Sequence, residues 1–394
     1  MLPRARLRCL LYALLCTFGL AGWQALTVRY NYGGNWTGLY CTGSGIEAIP
    51  PELRSENIYI FPNSGYDGQS YHLVAHDPAM VRGFSSLLDD ARLRYGRILV
   101  PGLAYLLAFG QDRAVDPAYL CVVWVSILLG SYWLGRYALY QGYPAWFALL
   151  FALVPAVLIS VDRLTVDVAL AACVVGFARY TQEQLSWRLY AVLAAAGLVR
   201  ETGLLLVAAY CISLASERQF RRAAWFATAA IPALSWQILV RFRTPPYRYG
   251  FVSIDLFMGM LNRVVRPFPY PFGGPVKALA IGLDLLALAG IALALGWALQ
   301  RAFARARKPV TIAAYLFALL AITLSQAGAW SEVYAFGRTL TPLVLLSALD
   351  GLSIGSLVPA LSILAIDPRI GLQWSGQIVN VARGAARLAL GLGW

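Results

Sequence analysis

The sequence predicts an all-α polytopic membrane protein: about ten transmembrane helices and a long first outer loop carrying an interfacial helix. Three observations carry that prediction. The 394 residues are 59% hydrophobic and only 13% charged, with a mean hydropathy of +0.63, which leaves too little polar surface for a soluble domain of this size. Apolar runs recur along the whole chain. Arginines gather in the connections between those runs, so the net charge of +13 is read as membrane orientation and contact with anionic lipid, with no nucleic-acid partner.

The first run, LRCLLYALLCTFGLAGWQALTV, has Arg4, Arg6 and Arg8 at its start. Gly19 and Ala21 form a small-x-small pair suited to signal cleavage, but the apolar stretch continues to Val28, and an uncleaved first helix is expected. Further runs cover 96–110, 117–136, 144–160, 164–179, 189–199, 202–216, 223–240, 276–300, 309–327 and 339–365. The N-terminus, RQFRR (218–222), RAFARARK (301–308) and the tail with Arg369, Arg383 and Arg387 are expected on the cytoplasmic side.

If every run crossed, the N-terminus and RQFRR would fall on opposite sides. The run that fails to cross is expected to be GRILVPGLAYLLAFG (96–110), fifteen residues long with Pro101 inside it. That leaves ten spans in a single integral domain (1–394), both termini inside, a first outer loop at 29–116 and a second at 241–275. The short runs at 189–199 and 202–216 meet at VRET near the outer face. Residues 366–394 form a cytoplasmic tail, its 371–394 part read as an amphipathic interfacial helix. Five of the six cysteines lie in apolar runs and Cys41 in a polar loop, so no disulfide framework is implied.

This topology collects the polar residues on the outer face. The first loop holds Asp67, His72, His76, Asp77, Asp89, Asp90, Arg92, Arg94 and Arg97, and Asp162, Arg163 and Asp167 precede or begin the run at 164–179. Arg241, Arg243, Arg248, Arg263 and Arg266 share the second loop, with Glu332 and Arg338 in the last one. Outer arginines run against the positive-inside bias, and their forks suit phosphate or anionic headgroups. Arg200 and Glu201 are costly near a membrane interior and therefore functional candidates. As neighbours they cannot point the same way along a regular helix, and Glu332 or Arg338 are possible partners.

Some residues have plainer readings. Asp67 in GYDGQ suits a turn. Ser86 and Asp89 have capping-box spacing, which makes Asp89 and Asp90 structural, and Asp167 suits a helix N-terminus. His72 and His76 have the four-residue spacing of zinc ligands, with Asp67 or Asp77 as a third. That spacing is common by chance, so the favoured role is substrate hydrogen bonding or packing and no metal is assigned.

GYDGQSYHLVAHDP followed by LRYGRILVPGLAYLLAFG resembles the first outer loop of the bacterial multi-pass glycosyltransferases of the GT-C superfamily, with a looser likeness to the mannosyltransferases of GPI-anchor synthesis. Those proteins carry a Tyr/Trp-Asp-Gly element and then an Arg-Ile-Leu-x-Pro interfacial helix. LTVDVALAACVV is similar to their outer-face Thr-x-Asp helix start, GLVRETGLLLV to their Arg-x-Thr-Gly element, and YAFGRTLTPLVLL to their late Gly-Arg-x-x-x-Pro helix. The likeness covers scattered pieces of 60–345 in consistent order.

The resemblance implies transfer of a sugar from a polyprenyl-phosphate carrier to a glycan, lipid or protein acceptor, at the periplasmic face of a bacterial inner membrane. Asp67 would be the general base. Arg97, Arg200, Arg263, Arg266 and Arg338 would hold phosphate, with Tyr66, Gln69, His72 and Asp167 as further substrate-binding residues. The histidines stand where the family has aromatic or aliphatic residues.

The chemistry sets its own expectations. A carboxylate at a partly dry interface should have a raised pKa, useful for a base. Gly68 would let substrate approach the backbone. One base and a good leaving group suffice for inversion. Two rivals remain: a transporter of lipid or glycan, which would ordinarily show internal repeats, and a metal-dependent hydrolase using His72 and His76.

Overall fold

Long apolar stretches satisfy their backbone groups internally by becoming helices, and helices dominate this chain. The computed structural model describes residues 3–44, 49–50, 53, 57–183, 186–247, 250, 252–271 and 273–390; Arg248 lies outside them. These residues form α1 (Pro3–Asn31), α2 (Asp67–His76), α3 (Ala91–Tyr95), α4 (Leu99–Leu107), α5 (Asp112–Tyr140), α6 (Pro155–Arg163), α7 (Asp167–Glu183), α8 (Ser186–Val199) and α9 (Leu204–Ser216). They continue as α10 (Phe220–Ala227), α11 (Ile231–Arg243), α12 (Met258–Val265), α13 (Gly274–Phe303), α14 (Pro309–Thr323), α15 (Val333–Thr339), α16 (Thr341–Leu352) and α17 (Leu361–Ala389). The sheet among the described residues is one two-residue parallel pair, Thr42–Gly43 against Ile60–Phe61.

Four helical segments are long and apolar enough to cross a membrane alone: Arg4–Asn31, Asp112–Tyr140, Phe220–Arg243 and Gly274–Phe303. A fifth candidate is the 3-10 helix Ala145–Leu153 joined to α6 with a bend of 58°, where Pro155 cannot continue the hydrogen-bond ladder. The shorter apolar helices are Trp187–Val199, Glu201–Ser216, Pro309–Thr323 and Thr341–Leu352. α16 is buried along its entire length.

Contacts order these helices between two ends, one of which carries Asp67. α7 runs away from that end beside α5, and Trp133 donates to the Tyr180 hydroxyl at 3.0 Å. α8 returns to Arg200, and α11 returns to the α3–α4 junction, where Trp236 donates to the Tyr95 carbonyl at 2.7 Å. A Cβ on Gly96 would stand 2.8 Å from the Gln237 amide nitrogen, so the two segments approach closely here.

The nine-residue α4 is about 14 Å long, too short to cross. It buries Val100, Pro101 and Ala104 and leaves Leu103, Leu106 and Leu107 exposed. The first loop builds a small separate core, with Leu73, Val74, Phe84, Leu88, Ala91 and Tyr95 packed together with Val240 of α11.

The last apolar run departs from expectation. Residues 339–365 do not form one span: the chain breaks between Leu352 and Leu361 and doubles back. α17 then packs antiparallel to α13, so closely that a Cβ on Gly290 would lie 2.7 Å from the Ser362 carbonyl. Further along, Trp374 stacks on Trp23 of α1, with ring centroids 5.4 Å apart, and Asn380 donates to Asn31 at 3.0 Å. The segment 366–394 was expected at the end opposite Asp67. Its described part instead finishes at the Asp67 end, and it continues α17 where a separate tail helix was expected. Among the described residues, α17 is thus a further long helix after the last run that the sequence reads as a span. Gly351, Ser353 and Gly355 allow the turn, with Gly355 at φ +79°, a conformation that favours glycine.

Candidate active site

α2 is seated by its backbone surroundings. The Tyr66 amide donates to the Cys41 carbonyl at 2.9 Å, and Gln69 Oε1 accepts from the Gly43 amide at 3.0 Å. Gly68 is pressed against protein: an added Cβ would stand 2.2 Å from the Arg163 carbonyl and 2.7 Å from that of Tyr40. Its role is close packing, which replaces the expected approach of substrate to its backbone. This seating presents Asp67, in the first turn of α2, to a cavity of about 500 Å³.

Arg94 of α3 grips the Asp67 carboxylate with two nitrogens, at 2.9 and 2.7 Å. Arg338 of α15 donates to the same carboxylate from another side. Its other terminal nitrogen lies 3.4 Å from Asp167, and Asp167 also receives Arg200. Arg97 holds Glu201 through two hydrogen bonds of 3.1 and 2.8 Å and donates to the Tyr71 hydroxyl at 3.0 Å. The cavity is therefore lined by Arg94, Arg97, Arg200 and Arg338 alternating with Asp67, Asp89, Asp90 and Glu201. Val252, Leu320, Leu324 and Ala329 form an apolar wall.

The electrostatics overturn one expectation. Burial works to raise the Asp67 carboxyl, but the charges of Arg338 and Arg94 prevail and hold it well below the usual carboxylate range. The expected upward shift does not occur, because the charges and hydrogen bonds of two guanidinium groups outweigh the effect of burial.

The sequence candidates divide three ways. Asp67, Arg97, Arg200 and Arg338 line the cavity together. Two stand immediately behind it: Asp167, 1% exposed, steers Arg200 and Arg338, and the Tyr66 ring lies 5.0 Å from the Arg338 guanidinium carbon, its hydroxyl donating to the Tyr334 carbonyl. The other four are elsewhere. Gln69 is spent on the loop backbone, and its amide nitrogen donates to the Ser64 carbonyl. His72 is buried against Tyr40, rings 4.1 Å apart. Arg263 donates to the Trp330 carbonyl at 2.6 Å, and its partner on α12's end, Arg266, is exposed outside the cavity. Their loop folds them over α15's approach rather than towards Asp67.

Arg200 is extended (φ −158°, ψ 143°) between α8 and the turn at Glu201. That break lets Arg200 reach Asp167 and Glu201 reach Arg97, while Arg200 Nε stays 3.8 Å from the Glu201 carboxylate. Neither pairs with Glu332, whose carboxylate instead faces Arg369 at 3.7 Å.

Sequence reasoning missed Arg94 and Asp89 as site residues. The capping-box reading assigned Asp89 to the helix start, but Asp90 is the cap, accepting from the Leu93 amide at 3.1 Å. Asp89 is released to grip Arg94 at 2.9 and 2.6 Å. Two adjacent aspartates before an Ala-Arg-Leu-Arg helix were the available signal, since only one of them can cap.

A second, almost wholly apolar groove of about 670 Å³ runs between α4, α5, α7 and α8; it holds no acid–base pair. Comparison of the chain with protein-family models, curated proteins and solved structures finds no match.

Proposed function

We propose that this chain is a membrane glycosyltransferase of GT-C type that moves a sugar from a polyprenyl-phosphate carrier to an acceptor hydroxyl. One observation carries the reading. Asp67 sits between Arg94 and Arg338 in a cavity that joins a guanidinium-rich side to an apolar wall. A lipid phosphate needs both kinds of surface, and a sugar acceptor needs a carboxylate beside them.

In this mechanism the donor phosphate competes with Asp67 for Arg94 and Arg338. As the arginines turn to the phosphate, the carboxylate becomes a stronger base. The acceptor oxygen bonds to the anomeric carbon while that carbon's bond to the phosphate oxygen breaks, and the acceptor proton passes to Asp67. Polyprenyl phosphate leaves with the electron pair, its charge met by arginine. One carboxylate acting as base gives inversion. The low resting pKa fits a late proton transfer, after the leaving group has largely departed.

On this reading the Asp67 end faces the periplasm of a bacterial inner membrane, and the short helices complete a set of spans around the longer apolar ones. The acceptor is a glycan, lipid or protein.

The test is release of polyprenyl phosphate by the purified full chain from a panel of polyprenyl-phosphate sugars. Turnover of at least one donor, reduced about 100-fold or more in a folded Asp67→Asn variant, is expected. Undiminished turnover in Asp67→Asn, or no donor consumed across the panel with acceptor extracts supplied, overturns it.

A further inference from the structure

Behind Asp67, one and two turns along α2, lies a second cluster with a different character. His72 and His76 place their Nε2 atoms 3.3 Å apart. Asp116, in the second turn of α5, brings Oδ1 to 3.0 Å from His72 Nε2 and 3.9 Å from His76 Nε2. The third ligand is therefore neither Asp67 nor Asp77. Asp67 is held by arginines, and Asp77 caps a turn by accepting from the Val81 and Arg82 amides.

These separations match a metal site. An ion bound tetrahedrally at 2.0–2.2 Å requires its ligand atoms to stand about 3.4 Å apart, and the three distances bracket that value. The surroundings orient the ligands as metal sites do. His76 Nδ1 lies 2.8 Å from Asp112 Oδ1, and Arg82 grips Asp112 through hydrogen bonds of 2.7 and 3.0 Å. With its Nδ1 proton committed to that carboxylate, neutral His76 offers only a lone pair at Nε2. His72 is fixed by the stacked Tyr40 ring. Both histidines are buried, whereas Asp116 is 20% exposed, leaving access for an ion and a fourth ligand on that side.

A hydrogen-bonded cluster fits less well. A single proton on His72 Nε2 would have to serve both His76 Nε2 and Asp116 Oδ1, whereas a cation satisfies all three lone pairs together.

We propose that His72, His76 and Asp116 bind one divalent first-row transition ion, zinc foremost, as a staple between α2 and α5. Two imidazoles and a carboxylate suit that ion class. None of the three lines the Asp67 cavity, and His72 stands about 7.5 Å along the helix from Asp67. The ion's role is to hold the helix that presents Asp67, outside the reaction itself. This proposal stands whether or not the chain transfers sugar.

The experiment uses the full chain purified in detergent from zinc-replete cells. Element analysis should find about one zinc per chain. Chelation should lower the melting temperature, and cobalt(II) should then bind in a saturable 1:1 manner with visible d–d absorption. His76→Gln and Asp116→Asn should abolish both metal signals, while Asp67→Asn, from outside the cluster, keeps them. Wild-type protein that neither retains zinc nor binds cobalt(II) saturably overturns the proposal, and so does 1:1 binding undiminished in His76→Gln and Asp116→Asn. Wild-type chelation and reloading decide the matter if the variants fail to fold.

Discussion

Arg338 bridges two carboxylates, donating from one terminal nitrogen to Asp67 and placing the other 3.4 Å from Asp167. α2, α7 and α15 therefore meet through one side chain. A residue in the first loop is joined to one 271 positions later, and the second carboxylate fixes the fork that the first one shares.

That bridge predicts a difference between two substitutions. If the proposed sugar transfer holds, Arg338→Gln removes a charge that meets the leaving phosphate, and kcat should fall about 100-fold. Arg338→Lys keeps the charge but cannot span both carboxylates, so its loss should be smaller and appear in KM as well as kcat. Steady-state kinetics with the active donor separate the two. Equal losses would show that the fork geometry is irrelevant.

Arg200 balances the nearly inaccessible Asp167. Arg200→Ala should destabilise the protein by roughly 1–3 kcal/mol, the cost of losing one charged hydrogen bond while Arg338 still faces Asp167. The double variant Arg200→Gln with Asp167→Asn should recover part of the loss. Thermal unfolding in detergent measures both.

Asp67 makes stability depend on pH in a defined direction. Its folded pKa lies below the unfolded one, with burial opposed and overcome by Arg338 and Arg94. The stabilisation is therefore complete above the unfolded pKa of about 3.9 and is lost as pH falls through the lower folded value. The melting-temperature gap between wild type and Asp67→Asn should stay constant from about pH 8 to 5 and narrow only below about 4. A gap closing between about pH 7 and 5 would mean that burial prevails.

The reversal of α17 predicts where the C-terminal segment is accessible. With Cys121 replaced by serine, exposed Ser86→Cys and Arg383→Cys should react with a membrane-impermeant maleimide from the same side. Lys308→Cys, exposed at the other end, should react from the opposite side. Labelling of Arg383→Cys together with Lys308→Cys would contradict the doubled-back α17.

The sequence by itself determined the helical, strongly apolar character of the chain, because hydropathy and run length act locally and need no partner. It also marked 96–110 as too short to cross and drew attention to Asp67, Arg97, Arg200 and Arg338. Tertiary structure alone decided which charges meet. Asp67 and Arg338 are far apart in the chain, and the Asp67 carboxyl at the same helix start without its arginines would have kept an ordinary or raised pKa. Tertiary structure also chose Asp90 over Asp89 as the cap, gave His72 and His76 the carboxylate of Asp116 from another helix, and folded 339–365 in two. Each of these outcomes depends on close approach between segments distant in sequence. The periodicity and length of a single segment carry no record of such contacts.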